Sequence, residues 1–414
     1  MNKIYRVIWN STLRVFQVCS ELVNGKQQVS SVSQTAPTVI CLNNISFAHR
    51  LPSRFRVLPL LVLMALPGTS FADLVVDSNL GTSTLSVTQA NPYADAGNII
   101  VGSTSGGTGD LTISNGGTVT GGTSTVGFSA GSSGTLTVDG TGSVLNTADM
   151  TVGHAGEGVL AITNGGVVNS TADSTIGLLA GSKGVVDVSG GSQWNLSGQK
   201  LIVGSAGTGT LNISGGSSVI TGNGGTSIGA GSKATIEGTG SSLSYGNGGL
   251  QISGNLDITD GGQVIGISNL NPITVSSSGT LRVDGADSGL TSGNFTVNDG
   301  GLMAVTNGGN VANHGTSGDT INGTVTVDGA GSVWTNSGNF FMGTVTGTTP
   351  TIAITNGGVV NLTAGGSMQT NDATSRALIT IDGTGSRLSM DGTFNMQGKN
   401  PADPTAIQVT NGGR

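Results

Sequence analysis

The sequence predicts an all-β protein: a parallel β-helix, or solenoid, of about 13 coils behind a cleavable N-terminal export signal. Pairs of apolar residues separated by one polar residue recur along the chain at spacings of 22 to 28 residues. Each pair is followed by a turn sequence that contains glycine. After residue 73, no window carries the i, i+3, i+4, i+7 apolar face of a helix. Together these observations favour stacked short strands.

Residues 1–72 have the features of an export signal. Three arginines precede an apolar h-region at 57–66, and small residues follow it up to Ala72. This order is typical of secretory signals, and a run of ten apolar residues is too short to span a bilayer. We therefore predict cleavage between Ala72 and Asp73, with 27–72 forming the remainder of the signal.

The first 26 residues carry a more specific pattern. Its residues are Asn2-Lys3, Tyr5-Arg6, Ile8-Trp9-Asn10, Val18 and Ser20-Glu21. This pattern resembles the extended signal peptide region of Gram-negative type V secretion proteins, the autotransporters and related exoproteins. The resemblance implies a protein that is displayed at the cell surface, at the outer membrane, or secreted. It also implies two partners, the inner-membrane secretion machinery and an outer-membrane β-barrel translocator.

The chain stops after the turn at 411–414, without strands of the kind that form a membrane barrel. We expect a fragment truncated before its barrel, a disrupted gene product, or a protein exported with a separate barrel partner.

Composition changes at the predicted cleavage site. Residues 73–414 hold eight Lys/Arg against 21 Asp/Glu, a net charge of −13, whereas residues 1–72 hold seven Lys/Arg against one acid. This acidic balance argues against nucleic acid or anionic lipid as a partner. Both cysteines, Cys19 and Cys41, lie before the cleavage site, so the mature chain cannot form disulfides.

The apolar pairs form the predicted core ladder. They are Leu111/Ile113, Leu136/Val138, Leu160/Ile162, Val186/Val188, Leu211/Ile213, Ala234/Ile236, Leu256/Ile258, Leu281/Val283, Met303/Val305, Val325/Val327, Ile352/Ile354, Ile379/Ile381 and Ile407/Val409. A strand with one buried face has this period of two. One coil cannot bury its own apolar face, whereas stacked coils place the pairs in continuous interior ladders.

Each repeat holds three strand signals and three turns. A Val/Ile-Gly step precedes many pairs, and the turn after the pair reads either Asn-Gly-Gly or Asp/Glu-Gly-Thr/Ala-Gly-Ser. A propeller blade needs about 40 residues, which fits the period poorly, and sandwich domains would show boundaries that are missing here. The repeat is weakest at 263–310, where Phe295/Val297 falls between two coils, and at 339–377. We expect loops or a bulged coil at both places.

The repeats from about 100 to 414 also resemble the Gly-rich passenger repeats of AIDA-type and pertactin-like autotransporters. That resemblance implies a right-handed parallel β-helix for 73–414.

No residue pattern points to catalysis. Gly-x-Ser-x-Gly occurs at 127–131 and 225–229, but a hydrolase elbow needs a strand-to-helix turn that this chain lacks. His154 and His314 are about six coils apart and cannot share one site, and Gly366-Ser367-Met368 lacks the residues that complete a subtilase motif. We predict that the protein is not an enzyme and has no cofactor.

Metal binding and exposed aromatic contacts are the weaker interpretations of other recurring residues. Asp139, Asp284, Asp328 and Asp382 occupy equivalent turns and could collect Ca²⁺, but an Asp that starts a tight turn needs no metal. Trp194, Trp334, Tyr245 and Leu388 follow turns at similar positions and are expected to fill one face of a coil.

Three functions remain open. The preferred hypothesis is an adhesin or autoaggregation factor that binds itself or a host surface through the flank of the solenoid. The alternatives are the stalk of a secreted hydrolase or toxin whose active domain lies beyond residue 414, and a structural surface protein without adhesive activity.

Overall fold

A computed structural model describes residues 5–10, 15–20, 72–93, 96–197, 199–268, 271–315, 318–364, 366–369, 376–398 and 405–414. The chain divides into two units, 1–61 and 62–414. The first contains an antiparallel pair of strands, Tyr5–Asn10 and Val15–Ser20, in register from Tyr5 opposite Ser20 to Asn10 opposite Val15. The predicted h-region 57–66 lies outside the described residues.

The second unit is a parallel β-solenoid of about 13 turns with three sheets, which we call faces A, B and C. The chain visits them in the order A, B, C in every full coil, and each strand pairs in parallel with the equivalent strands of the coils before and after it. Among the described residues one short helix occurs, the 3₁₀ turn Ser78–Leu80.

Face A has 14 short strands. They are Leu74–Val76, Ile99–Val101, Ser124–Val126, Met150–Val152, Ser174–Ile176, Leu201–Val203, Thr226–Ile228, Leu250–Ile252, Ile273–Val275, Phe295–Val297, Asp319–Ile321, Phe340–Met342, Gly366–Gln369 and Phe394–Gln397.

Face B also has 14 strands and contains the repeated apolar pairs. They are Thr84–Val87, Thr108–Ser114, Ser133–Asp139, Glu157–Thr163, Lys183–Val188, Thr208–Ile213, Lys233–Glu237, Asn255–Thr259, Thr280–Asp284, Leu302–Thr306, Thr324–Asp328, Thr351–Thr355, Leu378–Asp382 and Ala406–Thr410.

Face C has 12 strands. They are Thr118–Thr120, Val144–Thr147, Val167–Ser170, Gln193–Leu196, Ser218–Thr221, Ser242–Tyr245, Gln263–Gly266, Gly289–Ser292, Asn310–Asn313, Val333–Asn336, Val359–Leu362 and Arg387–Met390.

The interior is filled by ladders of identical or similar apolar side chains. Leu136 pairs with Leu111 in the coil before it and with Leu160 in the coil after it. The predicted ladder residues Leu111, Ile113, Leu136, Val138, Leu160, Ile162, Leu211 and Ile213 all have no exposed surface. Near the end of the chain the ladder opens, since Val409 is 52% exposed.

Glycine sets how closely the coils approach at the A–B corner. A Cβ on Gly127 would lie 2.3 Å from the carbonyl oxygen of Glu157, and a Cβ on Gly158 would lie 2.3 Å from the backbone nitrogen of Gly153. Gly127 also has a φ of +69°, which side chains disfavour. The recurrent Val/Ile-Gly step is therefore a steric requirement of stacking.

The expectation of a loop or bulged coil at 263–310 is wrong. Ile273–Val275 pairs with Phe295–Val297 on face A, and Phe295/Val297 is an interior pair of that face. A three-residue strand on face A has the same buried, half-buried, buried pattern as the face B pairs, so the local pattern does not distinguish the two faces.

At 339–377 the solenoid also continues. Phe340–Met342, Thr351–Thr355 and Val359–Leu362 keep their places on faces A, B and C. The irregularity here is the connection 343–350 between the first two of these strands, and 370–375 lie outside the described residues.

Truncating one ladder side chain tests the stacking. Leu160→Ala should lower the free energy of unfolding by about 2–5 kcal/mol, because the buried side chain leaves a cavity between two neighbouring coils. Val159→Ala, on the outward side of the same strand, is the matched control and should cost much less. Urea unfolding followed by circular dichroism measures both, and equal costs would contradict the burial of the ladder.

Candidate functional site

The residues considered for catalysis lie on different parts of the solenoid. Ser129 lies at an A–B corner, where its hydroxyl donates to the carbonyl oxygen of Ser103 at 2.5 Å. Ser227 is the middle residue of Thr226–Ile228, and Ser367 lies in Gly366–Gln369. None of these serines sits at a strand-to-helix turn.

The two histidines of residues 73–414 have separate surroundings. The His154 ring stacks on Phe128 with ring centroids 5.0 Å apart, and its Nδ1 lies 2.9 Å from the carbonyl oxygen of Phe128. His314 follows face C several coils later, and its Nδ1 lies 3.5 Å from the Ser337 hydroxyl. Within the described residues, the two rings therefore lie at separate sites, and neither is hydrogen-bonded to Ser129, Ser227 or Ser367.

The recurring Asp turns are hydrogen-bonding clamps between coils. Oδ1 of Asp139 accepts hydrogen bonds from the Thr163 hydroxyl and the Asn164 amide, both at 2.7 Å. The same arrangement recurs in three further places: Asp284 with Thr306 and Asn307, Asp328 with Thr355 and Asn356, and Asp382 with Thr410 and Asn411. We call each such set a corner clamp.

The serine that ends the same turn links the clamp to the previous coil. The Ser332 hydroxyl donates to the carbonyl oxygen of Asp328 at 2.6 Å and accepts from the backbone N–H of Gly308 at 3.0 Å. The alternation of Asp-Gly-x-Gly-Ser and Asn-Gly-Gly turns thus has a physical cause. Each Asp-Gly-x-Gly-Ser turn is hydrogen-bonded to the Asn-Gly-Gly turns of the coils before and after it, as at Asp328. The sequence signal is an Asp followed 22 to 28 residues later by Thr-Asn-Gly-Gly.

Hydrogen bonding lowers the pKa of the Asp139, Asp284 and Asp382 carboxyls. The bonds from Thr163 and Asn164 lower the pKa of Asp139, and those from Thr410 and Asn411 lower that of Asp382. For Asp284 partial burial raises the pKa, but hydrogen bonds from Thr306 and Asn307 and the charge of Arg282 together lower it below its ordinary value. In the described part of the chain, no three His, Cys, Asp or Glu residues lie close enough to hold a metal.

The outward side of face C carries a hydrogen-bonded row of amides, which we call the asparagine row. The Asn169 side-chain amide donates to Oδ1 of Asn146 at 2.9 Å, and the Asn195 amide donates to Oδ1 of Asn169 at 3.0 Å. The Asn146 amide donates to the Thr120 hydroxyl at 3.3 Å. These bonds fix the orientation of the amides along four successive coils.

An apolar patch interrupts the polar surface at the A–B corners. Phe128 and Leu179 are 41% and 44% exposed, and they lie in the coils before and after His154. The backbone N–H of Leu179 donates to the carbonyl oxygen of His154 at 3.0 Å, which places the corners in contact. We call Phe128, His154 and Leu179 the apolar corner patch.

Two shallow grooves mark the flank. One of about 290 Å³ lies on face C between Gln263, Gly289 and Asn310, where glycine leaves a gap in the outward row. The other, about 350 Å³, lies on face A near Lys200, Ser227 and Gln251. Both grooves are open; the lining of the first is mainly polar, whereas that of the second is polar and apolar in similar parts.

The interior aromatic residues differ in part from their predicted places. Trp194 and Trp334 are the second residues of Gln193–Leu196 and Val333–Asn336 and are fully buried. Leu388 takes the same position in its strand and is half-buried. Tyr245 is also fully buried, in agreement with its predicted role of filling one face of a coil, but it is the fourth residue of Ser242–Tyr245 and not the second. Burial raises the pKa of its phenol.

The predicted cleavage point lies at the start of the described solenoid. The backbone N–H of Gly97 donates to the carbonyl oxygen of Ala72 at 3.0 Å, and the Asp73 carboxylate accepts from the backbone N–H of Asn98 at 2.8 Å. Asp73 thus already belongs to the first coil. In the part of the chain that the structure describes, no helical segment has the length and hydropathy of a membrane span.

Residues 1–42 match the family described as the Extended Signal Peptide of Type V secretion system. Residues 1–42 therefore carry a type V export signal. The match includes the region 1–26 predicted above, and it implies passage through the secretion machinery and an outer-membrane translocator. The protein therefore reaches the cell surface or is secreted.

Two further comparisons concern the repeats. This chain is similar to an uncharacterized lipoprotein, YdeK, of Escherichia coli (strain K12). The alignment runs over 277 residues with 28% identity and covers 54% of this chain. The aligned part spans 20% of that relative's length. A solved structure described as a TibC-catalyzed hyper-glycosylated TibA55-350 fragment covers 78% of this chain and 97% of its own, with 16% identity and a TM-score of 0.35. That likeness is too small to bear on fold or function.

Removing the clamp charges should weaken the solenoid in a pH-dependent way. Asp284→Asn should cost about 1 kcal/mol at pH 6, because a charge-assisted hydrogen bond at a partly exposed site becomes a neutral one. A folded-state pKa below the unfolded value contributes stability above the unfolded pKa, and this contribution is lost as pH falls through the folded pKa. The difference between wild type and D139N/D284N/D382N in urea should therefore shrink from pH 6 to pH 2.5.

The exposed Asp299 provides the control, since D299N should leave the urea midpoint nearly unchanged at both pH values. A triple variant as stable as wild type at pH 6 would show that the clamps contribute nothing.

The position of signal cleavage has a direct test. N-terminal sequencing of the exported protein should begin at Asp73. A mature N-terminus inside the strand Leu74–Val76 would contradict the predicted site, since it would remove the first strand of face A.

Proposed function

We propose that the protein is an adhesin or autoaggregation factor that binds through the flank of its solenoid and has no catalytic activity. The asparagine row is the observation that carries the proposal. Its amides are exposed on one side yet already oriented by side-chain bonds from coil to coil, so little conformational entropy is lost when they meet a partner.

Repetition supports the same proposal. Equivalent outward positions recur in every coil, so many weak contacts can form between the rigid flank and a partner. Contacts that are individually weak gain strength when they form together on one body. The net charge of −13 in residues 73–414 favours neutral or cationic partners, or a second copy held through an uncharged stretch.

The proposal that the protein has no catalytic activity rests on where its histidines and serines lie. His154 and His314 lie at different corners and several coils apart. Ser129 uses its hydroxyl to bind the preceding coil. A hydrolase triad needs a serine and a histidine in hydrogen-bond contact, with a carboxylate that orients the histidine. Among the described residues, Nδ1 of His314 comes within 3.5 Å of the Ser337 hydroxyl, which is long for a hydrogen bond, and no carboxylate forms an ion pair with His314.

Display on cells tests the function. Cells that export the chain should settle or bind host cells faster than cells without it. N146A/N169A/N195A should reduce this binding several-fold, because the variant removes the oriented amides and leaves the backbone pairing of face C in place. T112A/T137A/T235A, on the outward side of face B, is the matched control and should bind like wild type.

Surface immunolabelling establishes that each variant is exported equally. Wild-type chain that reaches the surface without settling, biofilm formation or host-cell binding would contradict the adhesin proposal.

A further inference from the structure

Polar side chains gather inside the solenoid where face C turns into face A. At two coils these groups are pairs of small hydroxyls. The Ser124 hydroxyl donates to the Thr147 hydroxyl at 2.8 Å, and the Thr221 and Thr226 hydroxyls lie 3.3 Å apart. One coil differs, because it places a carboxyl at this corner.

That carboxyl belongs to Asp319, the first residue of Asp319–Ile321 on face A. Asp319 is 1% exposed, and its strand lies between those of Phe295 and Phe340. Oδ1 accepts from the backbone N–H of Phe295 at 2.8 Å, and Oδ2 accepts from the Asn313 side-chain amide at 2.5 Å. Asp319 therefore has two hydrogen-bond donors, both neutral.

The hydrogen-bond network continues into face C, where one of its buried donors has no acceptor. The Asn313 amide also donates to Oδ1 of Asn336 at 3.0 Å, and its own oxygen accepts from the Trp334 indole N–H at 3.0 Å. Oδ1 of Asn336 accepts a further bond from the backbone N–H of Gly338 at 2.7 Å. Nδ2 of Asn336 is buried and has no hydrogen-bond partner.

Among the described residues, no cation forms an ion pair with this carboxyl. The side chains facing it from the neighbouring strands of faces A and C are Phe295, Phe340, Asn313 and Trp334, none of which ionises in this range. The nearest titratable side chain along the chain, His314, is exposed and bonds to Ser337 instead. Burial raises the pKa of Asp319 to about 7, even though the bonds from Phe295 and Asn313 lower it.

We propose that Asp319, with Asn313, Asn336 and Trp334, forms a pH-sensitive joint in the solenoid. With the carboxyl neutral, the coils that carry 310–342 pack closely. Ionisation places an unpaired charge among Phe295, Phe340 and Trp334, and the cost of burying that charge loosens these coils. The effect is local, because each coil of a solenoid contacts only its neighbours.

The direction in which stability changes with pH follows from proton binding. The folded-state pKa lies above the unfolded value, so between about pH 4 and pH 7 the folded state binds more protons than the unfolded state. Stability is therefore highest below the unfolded pKa, falls as pH rises towards the folded pKa, and is level above it. This dependence is opposite in direction to that of the corner clamps.

Tryptophan fluorescence tests the joint in the full chain. The chain has three tryptophans, so W9F/W194F leaves Trp334 as the reporter. We expect its emission to shift to the red and its quenching by acrylamide to increase with a midpoint near pH 7. W9F/W334F leaves Trp194, whose indole donates to the Ser170 hydroxyl at 3.1 Å, and should show no transition there.

D319N added to the Trp334 reporter should abolish the transition. If D319N does not fold, D319S serves the same purpose, since serine occupies the equivalent place at Ser124 and Ser174. A Trp334 transition that persists in the folded Asp319 variant, or that is missing in wild type, would overturn the proposal.

Hydrogen exchange in wild type gives an independent readout. After correction for intrinsic exchange, the opening of Asp319–Ile321 and Phe340–Met342 should increase by up to about tenfold per pH unit between about pH 4 and pH 7. Met150–Val152 should not follow this dependence. Equal behaviour of all three strands would contradict a local joint.

Discussion

The structure depends on the burial of each coil's apolar ladder by the next coil. A single coil has too few residues to enclose its own core, and every interior side chain of faces A, B and C gains its cover from the layers on either side. Close stacking then dictates the rest of the sequence. It requires glycine at the A–B corners, where a Cβ would meet the next backbone.

Much of the fold could be predicted from this constraint. The period-two pairs repeat because every coil must offer the same surface to its neighbours. The matching patterns around Leu136 and Leu160 therefore predict the same interior position for both residues. Faces A and B could not be separated locally, since both contain a buried, half-buried, buried triplet. For this reason the sequence pattern around Phe295/Val297 predicts an irregular coil where the structure has a regular face A strand. The identity of the face depends on pairing between strands, which a local pattern does not contain.

The polar features were less predictable. An Asp that starts a turn needs no partner, so the corner clamps emerge only when coils are placed in register and Asp139 meets Thr163 and Asn164. The asparagine row follows the same logic, because Asn146 and Asn169 are 23 residues apart in sequence yet bonded in space. Asp319 gave no signal at all, since a single acid at the start of a strand resembles an exposed residue.

The same stacking constraint links stability to function. The asparagine row keeps a fixed orientation only because the apolar ladder inside the solenoid holds the coils in register. This rigidity supports the proposed binding along the flank. Cysteine scanning tests the central claim most directly, since residues 73–414 contain no native cysteine. In the folded protein, cysteines at Leu136, Leu160 and Val186 should resist a thiol reagent, whereas cysteines at Thr137, Ala161 and Asp187 should react. Rapid labelling of the first set without denaturant would contradict a stacked, dry interior.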